Sequence, residues 1–365
     1  MLEPPEVQAL LTKIRRNGVP LSEYAGMKPL YGIKTGFNEA FLIDTPTRDR
    51  LVAEDSGCAE IIKPYLRGQD IERWYTPWAG LWMIVLKSSA DHPWPWADGG
   101  ASAEALFQSS LPSLWAHMDA YRGSLCTRQD RGRYWWELRA CDYYDAFVGS
   151  KIVYQEIQFH SRYAIDTSEA LSNNKTFLLA RPDQWLLAIL NSPIAWWHNW
   201  RFLPHMKDEA LTPKADLMEH FPVVPTSIGV AAVAEQHAER LAASHRAIHE
   251  ARRGLHHWYR AEHGIEKPSQ RLADPLDLSA DAFIAEIRKA RGARKPLSAA
   301  AVKAVRDEWG HTIRPSQALL AESERLERDL SDLVNAAYGL AREDVKLLWE
   351  TAPPRMPPGK PAWLA

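Results

Sequence analysis

The texture of the chain changes at Phe221–Pro225, and that change constrains the fold more than any other feature of the sequence. Before it, short apolar runs at 40–43, 81–86, 151–157 and 176–179 are separated by turn residues, which is the pattern of strands. Helical spacing lies between them, over 47–53, 103–121 and 185–200. The interval HPWPWADGG at 92–100 is punctuated by Pro, Gly and Asp and predicts a loop. After the extended terminator FPVVP, apolar or aromatic Val233, His237, Leu241, Ile248, Leu255 and Trp258 recur at helical spacing while charges cover the other face. That predicts one long amphipathic helix over 230–259. Further helices are expected over 280–292, 297–309 and 315–337, with a connector at 264–280 and a Pro-rich tail from 353. At the start, Val7, Leu10, Leu11 and Ile14 recur at helical spacing, and Gly18 and Pro20 end the run. The expected fold is α+β: a lead-in helix and linker (1–22), a mixed domain with a strongly bent sheet (23–225), a spacer helix (226–263) and a helical C-terminal region (264–365).

Composition and motifs remove several function classes. The formal net charge is −2, so a polyanion site must be a local concentration of charge. Cys58, Cys126 and Cys141 are too scattered for a disulfide framework, and no CxxC pair offers zinc ligands. The opening residues lack the apolar core of a signal peptide. The greasiest stretch, 185–200, is broken by Asn191 and Pro193 and is too short to span a bilayer. A soluble cytoplasmic protein without a membrane partner is expected. GIKTG at 32–36 lacks the spacing of a phosphate-binding P-loop, and no GxGxxG occurs. The Asn/Asp-Pro-Pro-aromatic tetrapeptide that holds an extruded adenine is absent, since Asn191-Ser192-Pro193-Ile194 lacks the second Pro and the aromatic. Asp344-Val345-Lys346 carries nuclease-like letters on a helical stretch, and His245 with His249 share a helix face without a third ligand. No catalytic residue, metal site or cofactor is therefore assigned to this chain.

Three stretches are suited to holding a polyanion. In Tyr31–Phe41 two glycines permit a tight turn that would bring backbone N–H groups, Lys34 and the Thr35 hydroxyl together. An ordinary strand-connecting turn has the same composition. From Tyr121 to Arg139 the chain carries Arg122, Arg128, Arg131, Arg133 and Arg139 around Tyr134-Trp135-Trp136. Arginine forks bind phosphate or the guanine edge, and aromatics stack on bases. A solvated arginine loop whose aromatics belong to the core reads equally well. In Ser172–Thr176, Asn173 and Asn174 could read an adenine edge beside Lys175, and asparagines are also favoured simply as turn residues.

Together, YGIKTGFNEAFLID (31–44), EIIKPYLRGQDIER (60–73), YWWELRACDYYD (134–145) and SNNKTF (172–177) resemble the TaqI-like C-terminal target-recognition domain. That domain occurs in type IIG and Eco57I-like restriction–modification enzymes, and the closing LVNAAYGLAREDVKLLWETAPPRMP is similar to the end of those proteins. The resemblance implies recognition of double-stranded DNA for an adenine-N6 methyltransferase, with S-adenosylmethionine only on that catalytic domain or partner chain. It makes Lys34, Thr35, Lys63 and Arg67 candidates for backbone contacts. Glu60, Lys63, Arg67 and Asp70 could instead form an internal ion-pair network. Specificity is expected from 92–133 and 158–173, and a cationic cleft is expected to receive the duplex. Because the chain opens where the methyltransferase domain would end, the resemblance implies a separated specificity part, a split gene or a fragment. Two alternatives stay open at this point: a methyltransferase or nuclease in its own right, and a carbohydrate-binding or scaffold protein using its Trp pairs.

Overall fold

The computed structural model describes residues 3–292 and 296–364. It is an α+β structure whose contacts divide it into two compact units, Met1–Pro225 with Ala337–Pro357, and Thr226–Ala336 with Pro358–Ala365.

In the first unit the apolar runs form two four-stranded sheets. One has the order Leu30–Tyr31, Thr176–Leu179, Lys151–Gln155, Tyr163–Asp166, with every neighbour antiparallel. The other has the order Leu42–Asp44, Leu81–Ile84, Ile62–Leu66, Leu171–Ser172, and only its last pair is parallel. The chain passes between the sheets through 32–41 and again through 173–175. The helix Thr45–Glu54 starts where the Asp44 carboxylate accepts from the Thr47 N–H at 2.9 Å.

Two helices that periodicity predicts as continuous are split by proline. The 103–121 run becomes Ala103–Ser110 and Pro112–Asp119, because Leu111 before Pro112 leaves the helical region (φ −142, ψ 67). The 185–200 run becomes Gln184–Leu190 and Pro193–Phe202, the second capped by Ser192. Asn191 sits fully buried at that break. Its amide accepts from the Tyr163 N–H at 3.2 Å and donates to the Tyr163 carbonyl at 2.9 Å, completing the free edge of a sheet.

The lead-in helix Pro5–Asn17 buries the four apolar residues that predicted it. A later helix, Arg342–Glu350, belongs to the same unit, and Lys13 Nζ meets Asp344 there at 2.6 Å. Asp344 thus has a structural partner on a helix rather than a place on a nuclease strand.

The second unit is helical. Ile228–His263 is capped by Ser227 and stopped by Gly264 at φ +62. Ala280–Arg291 and Ala299–Glu308 follow, and a π-turn at Trp309–Ile313 leads into Arg314–Ala337. Pro315 accounts for the π-turn, since it lacks an N–H and its ring crowds the carbonyl four residues back. The core here is built on Leu255, Tyr259, Phe283, Ile287, Val305 and Ile313. No helix among the described residues is long and apolar enough to cross a membrane.

Candidate nucleic-acid interface

The two crossovers lie side by side, and glycine allows it. Gly32 N–H donates to the Thr176 carbonyl at 3.0 Å, and Ile33 N–H donates to the Ser172 carbonyl at 2.6 Å. Ile33 and Asn173 bridge in parallel. A Cβ at position 32 would lie 2.0 Å from Asn173 O and 2.5 Å from Ser172 O. On the other strand of the seam, the Asn173 side chain accepts from the Lys175 N–H at 3.0 Å, and Thr176 Oγ1 donates to the Asn173 carbonyl at 2.7 Å. The motifs YGIKTG and SNNKT, far apart in sequence, thus form one structural element.

The arginine stretch meets this seam from a different side than expected. Arg128 is buried, and its guanidinium donates to the carbonyls of Thr35, Trp135 and Glu137 while lying 4.6 Å over the Phe41 ring. Burial pulls its pKa down to about 10. Gly36, at φ +68, fits against it, for a Cβ there would stand 3.0 Å from Asp130 O. Arg128 therefore ties YGIKTG to the 135–137 backbone from inside and is withdrawn from phosphate. Thr35 is buried too, with its hydroxyl donating to Asn38 Oδ1 at 2.6 Å.

Tyr134 and Trp135, the aromatics expected to stack on bases, are half-buried against a core that contains Trp96 and Trp136. Trp94 lies flat on Trp96 (4.8 Å, 9°), and Tyr134 lies flat on Trp136 (4.9 Å, 4°). Trp96 Nε1 and the Tyr134 N–H both donate to the fully buried Glu137 carboxylate. Trp135 is half-buried beneath the Arg122 guanidinium at 4.4 Å. Arg122 itself is held by Glu104 and Asp119.

Of the remaining candidates, Arg67 forms a bidentate pair with Asp70 (2.7 and 2.9 Å), as the ion-pair alternative expected, whereas Lys63 faces Glu169 at 3.9 Å rather than Glu60. Lys175 pairs with Glu156 at 2.8 Å. Arg131 and Arg133 are exposed, each donating once to a backbone carbonyl, of Cys126 and Ala97 respectively. Lys34 is exposed without a carboxylate partner among the described residues. Asn174 is half-exposed beside Lys175.

Two clefts flank the seam. One, of about 580 Å³, gathers Asn38, Arg67, Gln69, Asn173 and Lys175 together with Gln155, Ile157 and Phe159. The other, of about 630 Å³, contains Tyr31, Lys34, Arg139 and the 141–143 turn. Carboxylates offset much of the positive charge in both, through Glu156 in the first and through Asp91 and Asp142 in the second. In place of the expected cationic cleft, the described residues form two clefts of mixed polar and apolar lining whose cations are largely paired. Ile157 and Phe159, exposed at 40% and 45%, were not singled out by the sequence. The signals for them are the apolar run over 151–157, which continues past the strand end at Gln155, and for Phe159 its place in the 158–173 stretch expected to carry specificity.

Residues 63–223 match the family model of the TaqI-like C-terminal specificity domain. That segment contains the 173–175 crossover and most of the lining of both clefts, and the 32–41 crossover precedes it. Residues 230–334 match a domain family of unknown function, DUF8810. Among solved structures, a type IIL restriction-modification enzyme, MmeI, in complex with DNA is similar over 89% of this chain, at 13% identity and a TM-score of 0.49. The chain spans 35% of that enzyme's length. No curated protein matches the chain.

Proposed function

We propose that the first unit is the target-recognition module of a restriction–modification system, reading double-stranded DNA for an adenine-N6 methyltransferase of the type IIG or Eco57I-like kind. The methyl donor S-adenosylmethionine would then sit on that enzyme, whether it is a preceding domain or a separate chain. The observation that carries this reading is the convergence of two crossovers and the Arg67 turn on one cleft, most of whose lining lies in the segment similar to the specificity domain. Amide side chains are the groups that read base edges, and here Asn38, Gln69, Asn173 and Asn174 line or border that cleft.

The roles expected from the sequence are redistributed. Lys34, Arg131 and Arg133 are the cations free to meet phosphates, whereas Arg128 and Thr35 hold the scaffold. Arg67, Lys63 and Lys175 would exchange a carboxylate for a phosphate on binding, so they favour register over raw affinity. Each bidentate base contact would contribute about 1–3 kcal/mol of discrimination.

Selection of bound duplexes from a random pool tests the reading directly. One enriched sequence motif is the expected result, and equal affinity for every duplex would overturn it. Incubating the chain with DNA and labelled S-adenosylmethionine separates reader from enzyme: transfer by this chain alone would assign the chemistry to it.

A further inference from the structure

Away from the seam, the first unit contains a cavity of about 250 Å³, of whose lining the proposed function uses Lys63 alone. It opens where the strands Ile62–Leu66 and Leu81–Ile84 meet the 144–148 turn. Its floor is apolar, formed by buried Ile61, Val85, Phe147 and Leu171. Its walls are aromatic and held in place. Trp94 Nε1 donates to the Lys87 carbonyl at 2.7 Å, the indole lies flat on Trp96, and His92 meets it edge-on at 4.3 Å. Burial and the nearby Lys87 hold His92 below the usual imidazole range, so it serves as a neutral ring. Tyr144 forms another wall, with Lys87 Nζ 4.7 Å over its ring. The rim carries Lys63 and Lys87 together with the carboxylates of Glu60, Asp145 and Glu169.

Size and chemistry restrict the occupant. Drug-sized ligands take clefts of roughly 300–1,000 Å³, so a cavity of about 250 Å³ encloses one flat ring and leaves the groups attached to it at the rim. Apolar and aromatic surfaces favour a flat ring, lysines favour an attached anion, and carboxylates favour N–H donors on the ring edge. We propose that this cavity binds one nucleotide, its base between the aromatic walls and its phosphate at Lys63 and Lys87. The nucleotide comes either free from solution or as an unstacked unit of DNA, and only the second source rests on the DNA-reading function above. Unstacking is least costly at a mismatched or unpaired position.

The test begins with ligand-observed NMR and calorimetry of the full chain with the four deoxynucleoside monophosphates. Saturable binding at millimolar concentration or tighter is expected, and weaker binding of the matching nucleosides. Exchanging both lysines (Lys63→Gln with Lys87→Gln) should weaken the monophosphate about tenfold and leave the nucleoside unchanged, as loss of a charge-assisted contact predicts. If that variant does not fold, the nucleotide-to-nucleoside ratio of the unaltered chain makes the same decision. A duplex with a single-nucleotide bulge that binds better than its paired counterpart identifies DNA as the source. Equal binding of the two, with the monophosphate still bound, identifies the free nucleotide. Absence of monophosphate binding overturns the proposal, whatever the duplex-selection experiment returns.

Discussion

An alanine at position 32 would place its Cβ 2.0 Å from Asn173 O, 2.5 Å from Asn173 C and 2.5 Å from Ser172 O. All three are backbone atoms, so no side chain can swing aside, and the two crossovers must separate by about an ångström to restore ordinary contact. Separation would break the bonds from Gly32 N–H to Thr176 O and from Ile33 N–H to Ser172 O. Each such bond contributes about 0.5–1.5 kcal/mol net, and a buried donor left without a partner costs about 1–3 kcal/mol. Gly32→Ala is therefore expected to destabilise the first unit by about 2–4 kcal/mol. The assay is urea denaturation followed by tryptophan emission, with helical circular dichroism recorded separately because the two units need not unfold together. A fall in the emission midpoint of about 1 M or more is expected. The control is Gly123→Ala, in the helix Arg122–Thr127, where a Cβ meets nothing within 4 Å. That exchange should be neutral or stabilise by up to about 1 kcal/mol. A Gly32→Ala midpoint equal to that of the unaltered chain would refute the close-approach argument, and with it the idea that the two motifs act as one element.

Three further outcomes follow from the same geometry. Arg128→Lys should lower the melting temperature by a loss of about 2–3 kcal/mol, because an ammonium cannot serve three carbonyls arranged around a planar fork; Arg131→Ala and Arg133→Ala should leave melting within about 0.5 kcal/mol and lower DNA affinity. If Lys34, Arg131 and Arg133 supply the phosphate contacts, the logarithm of the DNA association constant should fall against that of salt with a slope of about −3, and a slope near −5 would mean that the paired Arg67, Lys63 and Lys175 are recruited as well. His198, buried against Phe202 with its Nε2 lacking a partner among the described residues, is held down to about 4 by burial. The unfolded chain then binds a proton that the folded one refuses, so stability is complete above about pH 6.5 and falls by about 3 kcal/mol as pH drops to 4. His198→Phe should flatten that acid limb in a stability-versus-pH series.

The candidate site was readable in part. YGIKTG and SNNKT stand out in the sequence as glycine- and asparagine-rich turns, and their composition is what a close backbone approach needs. Nothing local shows that they touch, because the contact joins carbonyls and amides whose partners any residue could provide. Arg128 reads in the sequence as a surface cation for the same reason. Its partners are backbone carbonyls, one of them 93 residues away, and carbonyls leave no mark in a sequence. The pairing of Arg67 with Asp70 was legible as one of two readings, since three residues in a turn bring the groups together. The partner of Lys63 was not, because Glu169 arrives on a distant strand connection.

Periodicity and punctuation give most of the elements: Val7, Leu10, Leu11 and Ile14 mark a helix by their spacing, and the long helix expected over 230–259 runs over Ile228–His263 between Ser227 and Gly264. Such features depend on neighbours within a few residues, so the linear order of side chains contains them. Which face becomes a site depends instead on what approaches from far along the chain. Burial turned Trp96, Trp136 and Arg128 inward, and pairing with carboxylates muted Arg67, Arg122 and Lys175. The charge and aromatic surface left for a ligand is what remains after the fold has satisfied its own polar groups, and that remainder is a property of the packed molecule.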